Sequence, residues 1–261
     1  MPSPDFIRPT YLYKKQHDAV FCPHRWALVE AGTKTGATTA CIAWLSEQGF
    51  AGGYDQNYWW ISSSSSQALA VYNRVKSGLT IGSFIAQESP IPKIIIANGA
   101  IIWFKSGDKP TSLIDEDVYA AVIDNPAYCK EESWFSLRAT LTATEGPARI
   151  AGRVRGKDNW FYHFARRAES GGDPNAHYTK LTILDAIEAG IITQSEVDDA
   201  RRNLPELIFR ELYMAEPYDG RLEQMTYQGD PRRLPDEELE LIAGCKAGCI
   251  ETPATLNAVN S

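Results

Sequence analysis

Apolar residues along this chain gather in short blocks divided by glycine, serine and charge, a pattern of buried strands alternating with helices. The first block runs from Trp26 to Ala40, WALVEAGTKTGATTA. It stops in small and hydroxyl residues and then resumes as apolar CIAWL, which predicts a buried strand, a tight loop and a helix. A connection containing Gly49, Gly52 and Gly53 leads to YWWIS, Tyr58 to Ser62, whose aromatic and β-branched content suits a second buried strand. Ser62 to Ser66 then form either a loop at the strand's C-terminal edge or, as the favoured reading, a polar connector capping a helix that begins near Gln67. Ile94 to Ala97 and Ala100 to Phe104 flank Asn98-Gly99, the strongest short-range signal for a tight hairpin. Another buried strand, VYAAVID, spans Val118 to Asp124. Ala148 to Glu169 reads as a short strand, a loop with Gly152 and Gly156, and an aromatic helix whose Trp160, Phe161, Tyr162 and Phe164 belong to a core.

Composition narrows the class. With 261 residues and 44% hydrophobic content, the chain can bury a sizeable core in one large domain or one domain with an appendage. A formal charge of -7 argues against a protein that coats nucleic acid, so any DNA contact has to be local. The N-terminus lacks an apolar signal core and no stretch is long enough to span a bilayer, so a cytoplasmic protein with no membrane partner is expected. The cysteines at 22, 41, 129, 245 and 249 fit reduced thiols. Cys245 and Cys249 alone are close, and a metal site there is disfavoured.

The chemistry concentrates in the loop of the first block. Successive N–H groups turned inward, together with the positive end of the following helix, can hold a phosphate chain. A strict phosphate loop is G-x-x-x-x-G-K-[ST]; here Ala31 stands at the first glycine and Ala37 at the lysine. Gly36 survives, Thr38 can serve as a magnesium-side hydroxyl, and Lys34 can supply charge from the other side of the loop. An ordinary strand-to-helix turn, with Gly32 and Gly36 permitting unusual backbone angles, is the competing reading. Upstream, Gln16 in YKKQ has an amide able to pair with both edges of an adenine, although the segment taken alone favours an exposed polar helix turn. Asp124, at the end of VYAAVID, is either a helix cap or an acid that holds a metal's water shell. Arg153, Arg155 and Lys157 cluster on a loop able to sense phosphate or touch DNA, and Lys109 in KSGDKP is either solvated or turned toward a neighbour's nucleotide.

Taken in order, YKKQ, GTKTGATT, YWWIS, the hairpin with KSGDKP, VYAAVIDNPAYCKEESW, GRVRGKDNWFY and LPELIFRELYMAEP resemble the large terminase subunits of tailed bacteriophages over about residues 10 to 217. The resemblance implies an α/β P-loop NTPase of the additional-strand type: a mostly parallel sheet with flanking helices, a β-hairpin and a small helical lid. It divides the chain into an ATPase core (1–180), a lid or linker (181–217) and a tail (218–261). It further implies ATP and Mg2+ as ligands, with Gln16 at the adenine and Gly32, Thr33, Lys34, Thr35, Gly36, Ala37, Thr38 and Thr39 around the phosphates. Thr38 and Asp124 would hold the metal, Lys34, Asp124 and Asn125 would occupy the catalytic positions, and Arg153, Arg155 and Lys157 would lie on a loop linking hydrolysis to DNA movement. The implied partners are double-stranded viral DNA, the portal protein, the small terminase subunit and further copies of the chain in a ring on the procapsid, in the host cytoplasm.

Two departures bear on activity. Where the family has lysine and a catalytic glutamate, this chain has Ala37 and Asn125. An amide positions water but accepts no proton, and losing a phosphate-neutralising charge weakens transition-state stabilisation. Glu131 and Glu132 are the nearest acidic substitutes in sequence. A degenerate packaging ATPase is therefore expected, and its rival is a weak or inactive paralogue that acts as a structural or regulatory partner of an active motor. The tail, with a possible short helix at 235–244, is too short for the family's nuclease, so no nuclease activity is expected.

Overall fold

The computed structural model describes residues 12–114 and 116–219. Expectations for the tail, including its short helix and the Cys245/Cys249 pair, lie outside the described residues.

The block at Trp26 forms strand β1 (Trp26–Ala31), buried along its whole length, and helix α2 (Ala37–Ala51), with helix α1 (Lys14–Val20) ahead of them. Strand β2 (Asn57–Ser62) holds YWWIS, and helix α3 (Ser65–Gly78) follows with Ser64 as its N-cap, whose hydroxyl accepts from the Gln67 N–H. The serine run is therefore a capping connector. Three strands come next, β3 (Phe84–Gln87), β4 (Lys93–Ile96) and β5 (Ile101–Ser106). Then come β6 (Val118–Asp124), helix α4 (Glu131–Thr140), β7 (Ala148–Gly152), α5 (Trp160–Glu169) and β8 (Ala176–Leu181). Helices α6 (Ile183–Glu188), α7 (Gln194–Asn203) and α8 (Glu206–Met214) complete the described part.

One sheet carries all eight strands in the order β3-β4-β5-β2-β6-β7-β1-β8. From β5 to β8 every pairing is parallel, while β4 pairs antiparallel with both β5 and β3. The predicted hairpin is present, and β3 extends it by a strand that the sequence pattern does not signal. Strand β7 lies between β1 and β6, the insertion that defines the additional-strand arrangement.

Strand alternation sorts the side chains into two cores. Val29, Ala31, Tyr58, Trp60, Val122 and Ala151 face α1, α2 and α3, whereas Trp26, Leu28, Trp59, Ile61, Ile123 and Ile150 face α4 and α5. A separate small cluster of Ile183, Ala186, Val197 and Phe209 unites α6, α7 and α8. Asp124 shares the face of Val122, so the alternation that buries β6 also aims its last side chain at the start of α2.

The Asn98-Gly99 turn anchors α2 at its far end. Gly99 adopts φ +87°, which glycine tolerates without strain, and the Asn98 amide donates to the carbonyls of Gly49, Phe50 and Gly52 at 2.9, 3.1 and 3.0 Å while accepting from the Ala100 N–H.

Candidate functional site

Gly32 leaves β1 with its N–H on the Leu181 carbonyl, and the Thr33 N–H reaches the Leu212 carbonyl of α8 at 2.6 Å. A Cβ on Gly32 would come within 2.3 Å of the Tyr213 carbonyl oxygen, so only glycine lets α8 approach this closely. Buried Thr35 closes the turn by donating its hydroxyl to the Gly32 carbonyl at 2.9 Å. Gly36, at φ +80°, reverses the chain into α2. The first N–H groups of α2, beginning at Ala37, have no partner within the helix and carry its partial positive charge. Lys34 is exposed and sits at φ +58°. Ala37 is buried and packs into the core of the α2 face.

Gln16 is buried beside this loop, and the exposed-turn reading of YKKQ fails at that residue. Its amide is turned onto the loop itself, donating to the Gly36 carbonyl at 2.6 Å while accepting from the Tyr13 N–H at 3.3 Å. The Tyr13 hydroxyl adds a bond to the Thr35 carbonyl at 2.9 Å. In this conformation α1 braces the loop. Beside it, a cavity of about 600 Å³ lined by Tyr13, Lys15, His177, Thr179 and Asp185 opens between α1, β8 and α6.

Helix α1 is itself held by Arg149 on β7. This buried guanidinium donates to the carbonyls of Val20, Cys22 and His24 and lies 4.1 Å from the Trp44 ring. It has carbonyl acceptors and the negative end of α1 in place of a carboxylate, and burial lowers its pKa to about 10.

Opposite the loop, Asp124 is only 6% exposed and accepts a 3.0 Å hydrogen bond from the Thr38 hydroxyl. Burial pushes its carboxyl up to about 6, against which the Thr38 hydrogen bond and the charges of Arg153 and Arg74 act. Asn125 follows in the left-handed region at φ 54°, which asparagine tolerates better than most residues. Its carboxamide reaches both ways: Nδ2 lies 3.5 Å from Asp124 Oδ2, and Oδ1 accepts from the Arg153 N–H at 3.3 Å. Asp124 is thus joined through Asn125 to the start of the basic loop. Glu131 and Glu132 are exposed on the first turn of α4 and are absent from the groups acting on Asp124.

Of the basic residues expected on that loop, Arg153 acts on Asp124 and Arg155 stacks over Tyr128 at 5.0 Å. The loop is held by Glu211 of α8, a buried carboxylate whose pKa is raised by burial and which accepts from the N–H groups of Gly156 at 2.9 Å and Tyr218 at 3.4 Å. Helix α8 therefore touches both the phosphate-type loop and the basic loop. Sequence reasoning passed over Glu211, although a charge three residues after Ile208, on the buried face of a helix, is a readable anomaly. It also passed over Arg74, whose guanidinium crosses from α3 to the Thr39 hydroxyl and has no local signature.

The donors present suit a magnesium ion. A buried carboxylate beside a threonine hydroxyl supplies hard oxygen ligands, and Mg2+ ordinarily takes its remaining ligands from water and substrate phosphate. Among the described residues no group of three or more His, Cys, Asp or Glu side chains forms an all-protein metal cage, and no helix is long and apolar enough to cross a membrane.

No protein-family profile matches the chain, and no curated protein does. Solved structures do. The large terminase ATPase domain of Thermus phage P74-26 superposes with a TM-score of 0.65 at 18% identity, covering 78% of this chain and 93% of that domain. A large terminase from a thermophilic bacteriophage gives 0.67 at 12% identity over 83% of this chain and 57% of its own, and has also been solved with ADP and with ATP-γ-S. The HK97 bacteriophage large terminase gives 0.61 at 14% identity, with 73% of this chain and 47% of that one covered. This chain therefore has the fold of a phage large-terminase ATPase domain.

Proposed function

We propose that this chain is the ATPase domain of a DNA-packaging motor, binding Mg2+-ATP at the loop between β1 and α2 and turning it over slowly. The observation that carries this reading is the hydrogen bond from Thr38 to the buried Asp124, which joins the start of α2 to the end of β6 across the sheet. A threonine and an acid so paired are the two protein groups a nucleotide-bound magnesium needs.

In this reading the N–H groups from Lys34 to Thr39 receive the phosphates, Lys34 adds charge from the outer side of the loop, and Gln16 and Tyr13 keep the loop in shape. Mg2+ supplies charge neutralisation on the transferring phosphoryl group. Thr38 and Asp124 hold that ion. Asn125 orients water through its amide but takes no proton, which makes turnover slow. The base lodges beside α1, where Gln16 keeps one N–H on the Gly36 carbonyl and turns its second toward adenine. Arg153, Arg155 and Lys157 face double-stranded DNA through its phosphates, and α8 passes movement between the loops as part of a lid over 181–217. The working assembly is a homo-oligomeric ring on the portal, supplied with DNA by a small terminase subunit.

A second reading, a non-hydrolysing partner of an active motor, draws on Asn125: a carboxamide accepts no proton, and this one is already engaged with Asp124 and the Arg153 N–H. ATP turnover by the purified chain, with and without double-stranded DNA, separates the two. Loss of turnover in both Lys34→Ala and Asp124→Ala supports the active motor. Turnover that appears only when Ala37→Lys and Asn125→Glu are combined supports the partner. Failure of the parent chain to bind labelled ATP overturns the nucleotide reading itself.

A further inference from the structure

Position 37 carries no charge, yet the site has a cation that the loop itself does not encode. Arg74 projects from the exposed side of α3, and its guanidinium is hydrogen-bonded to the hydroxyl of Thr39, the neighbour of Thr38. Its charge also reaches the buried Asp124 carboxylate. Among the described residues no carboxylate lies within ion-pair distance of Arg74, so the guanidinium is held against the start of α2 without a permanent counter-ion.

A long cation with no acidic partner, fixed where a helix start and a buried acid converge, is arranged for an anion that arrives later. We propose that Arg74 is a phosphate-binding residue of this site, reaching in from α3 to supply the charge absent at Ala37. The proposal rests on the nucleotide reading above and names the residue that makes it workable. Guanidinium chemistry suits this role. Five donors in a planar fork allow one N–H to stay on Thr39 while the others pair with phosphate oxygens. Lys34 is exposed on the loop itself, whereas Arg74 comes from α3, so the two cations are carried by different elements.

The test is equilibrium binding of Mg2+-ATP and of inorganic triphosphate, which has no base, to the full chain and to Arg74→Gln, Arg74→Lys and Lys34→Ala. Gln keeps a donor for Thr39 but no charge. Arg74→Gln is expected to weaken both ligands on the order of tenfold while leaving the ligand-free melting temperature unchanged, and Arg74→Lys to recover part of the loss. Unchanged affinity in Arg74→Gln would show that Arg74 only braces Thr39 and would overturn the proposal, as would a loss confined to Lys34→Ala. A parent chain that binds neither ligand takes down the nucleotide reading and this inference together, whereas parent binding that is indifferent to Arg74→Gln takes down this inference alone.

Discussion

Replacing Asp124 with asparagine is expected to stabilise the ligand-free protein while destroying its affinity for Mg2+-nucleotide. Asp124 is almost wholly buried, and burial raises its carboxyl from 3.8 to about 6. Between those values the folded chain holds a proton that the unfolded chain has released, so stability falls as pH rises through this window. Above pH 6 the full cost remains, about 3 kcal/mol for a shift of this size. Asparagine keeps an acceptor for Thr38 and carries no charge, but it sets a second amide donor near Asn125 Nδ2, which trims the gain to about 2 kcal/mol at pH 7.5. That corresponds to a melting temperature higher by about 4–8 °C for a domain of this size. At pH 4.5, where the parent's carboxyl is mostly protonated in the folded state, the charge penalty relieved drops to about 1 kcal/mol. Thermal denaturation at the two pH values, with and without Mg2+-ATP, reads all of this: ligand should raise the parent's melting temperature and leave the variant's unchanged. A variant less stable than the parent at pH 7.5, or a gain independent of pH, would refute the account of Asp124 as a strained acid awaiting a cation.

Gly152→Ala should abolish nucleotide binding, measured by labelled ATP, because its Cβ would lie 2.5 Å from Asn125 Cα and displace the residue that follows Asp124. Arg149→Met should cost about 3 kcal/mol or more in urea denaturation, since several buried carbonyls lose their donor together. Asn98→Ala, which releases three carbonyls at the end of α2, should cost about 2 kcal/mol by the same measurement.

Much of the fold could be read from local pattern. The strand over Val118–Asp124 and the hairpin at Asn98-Gly99 are signalled by residues that also make them, through alternation and a turn only certain side chains permit. Strand β3 escaped because four residues of mixed exposure, Phe84–Gln87, carry no periodic excess over a loop. The loop at Gly36 and the acid at Asp124 were visible as types at positions, and the structure brings them together through Thr38. The supporting residues were harder to find. Arg74 meets Thr39 across 35 positions and Glu211 meets Gly156 across 55, and contacts carried by single long side chains leave no rhythm in the sequence. Arg149 sits within an apolar strand, where a lone charge marks either an edge or a hidden set of acceptors. Only packing distinguishes them.

Helix α2 is pinned at its distal end by Asn98 and flanked along its body by packed core, so it behaves as a fixed strut. Helix α8 grips the loop at the other end through two carbonyl oxygens, one receiving the Thr33 N–H and one wedged against Gly32, and holds the basic loop by Glu211. If the chain works as the proposed motor, strain arising at the loop would meet the core-packed α2 on one side and α8 on the other, and the Glu211–Gly156 contact would set how far α8 could move before the basic loop is released.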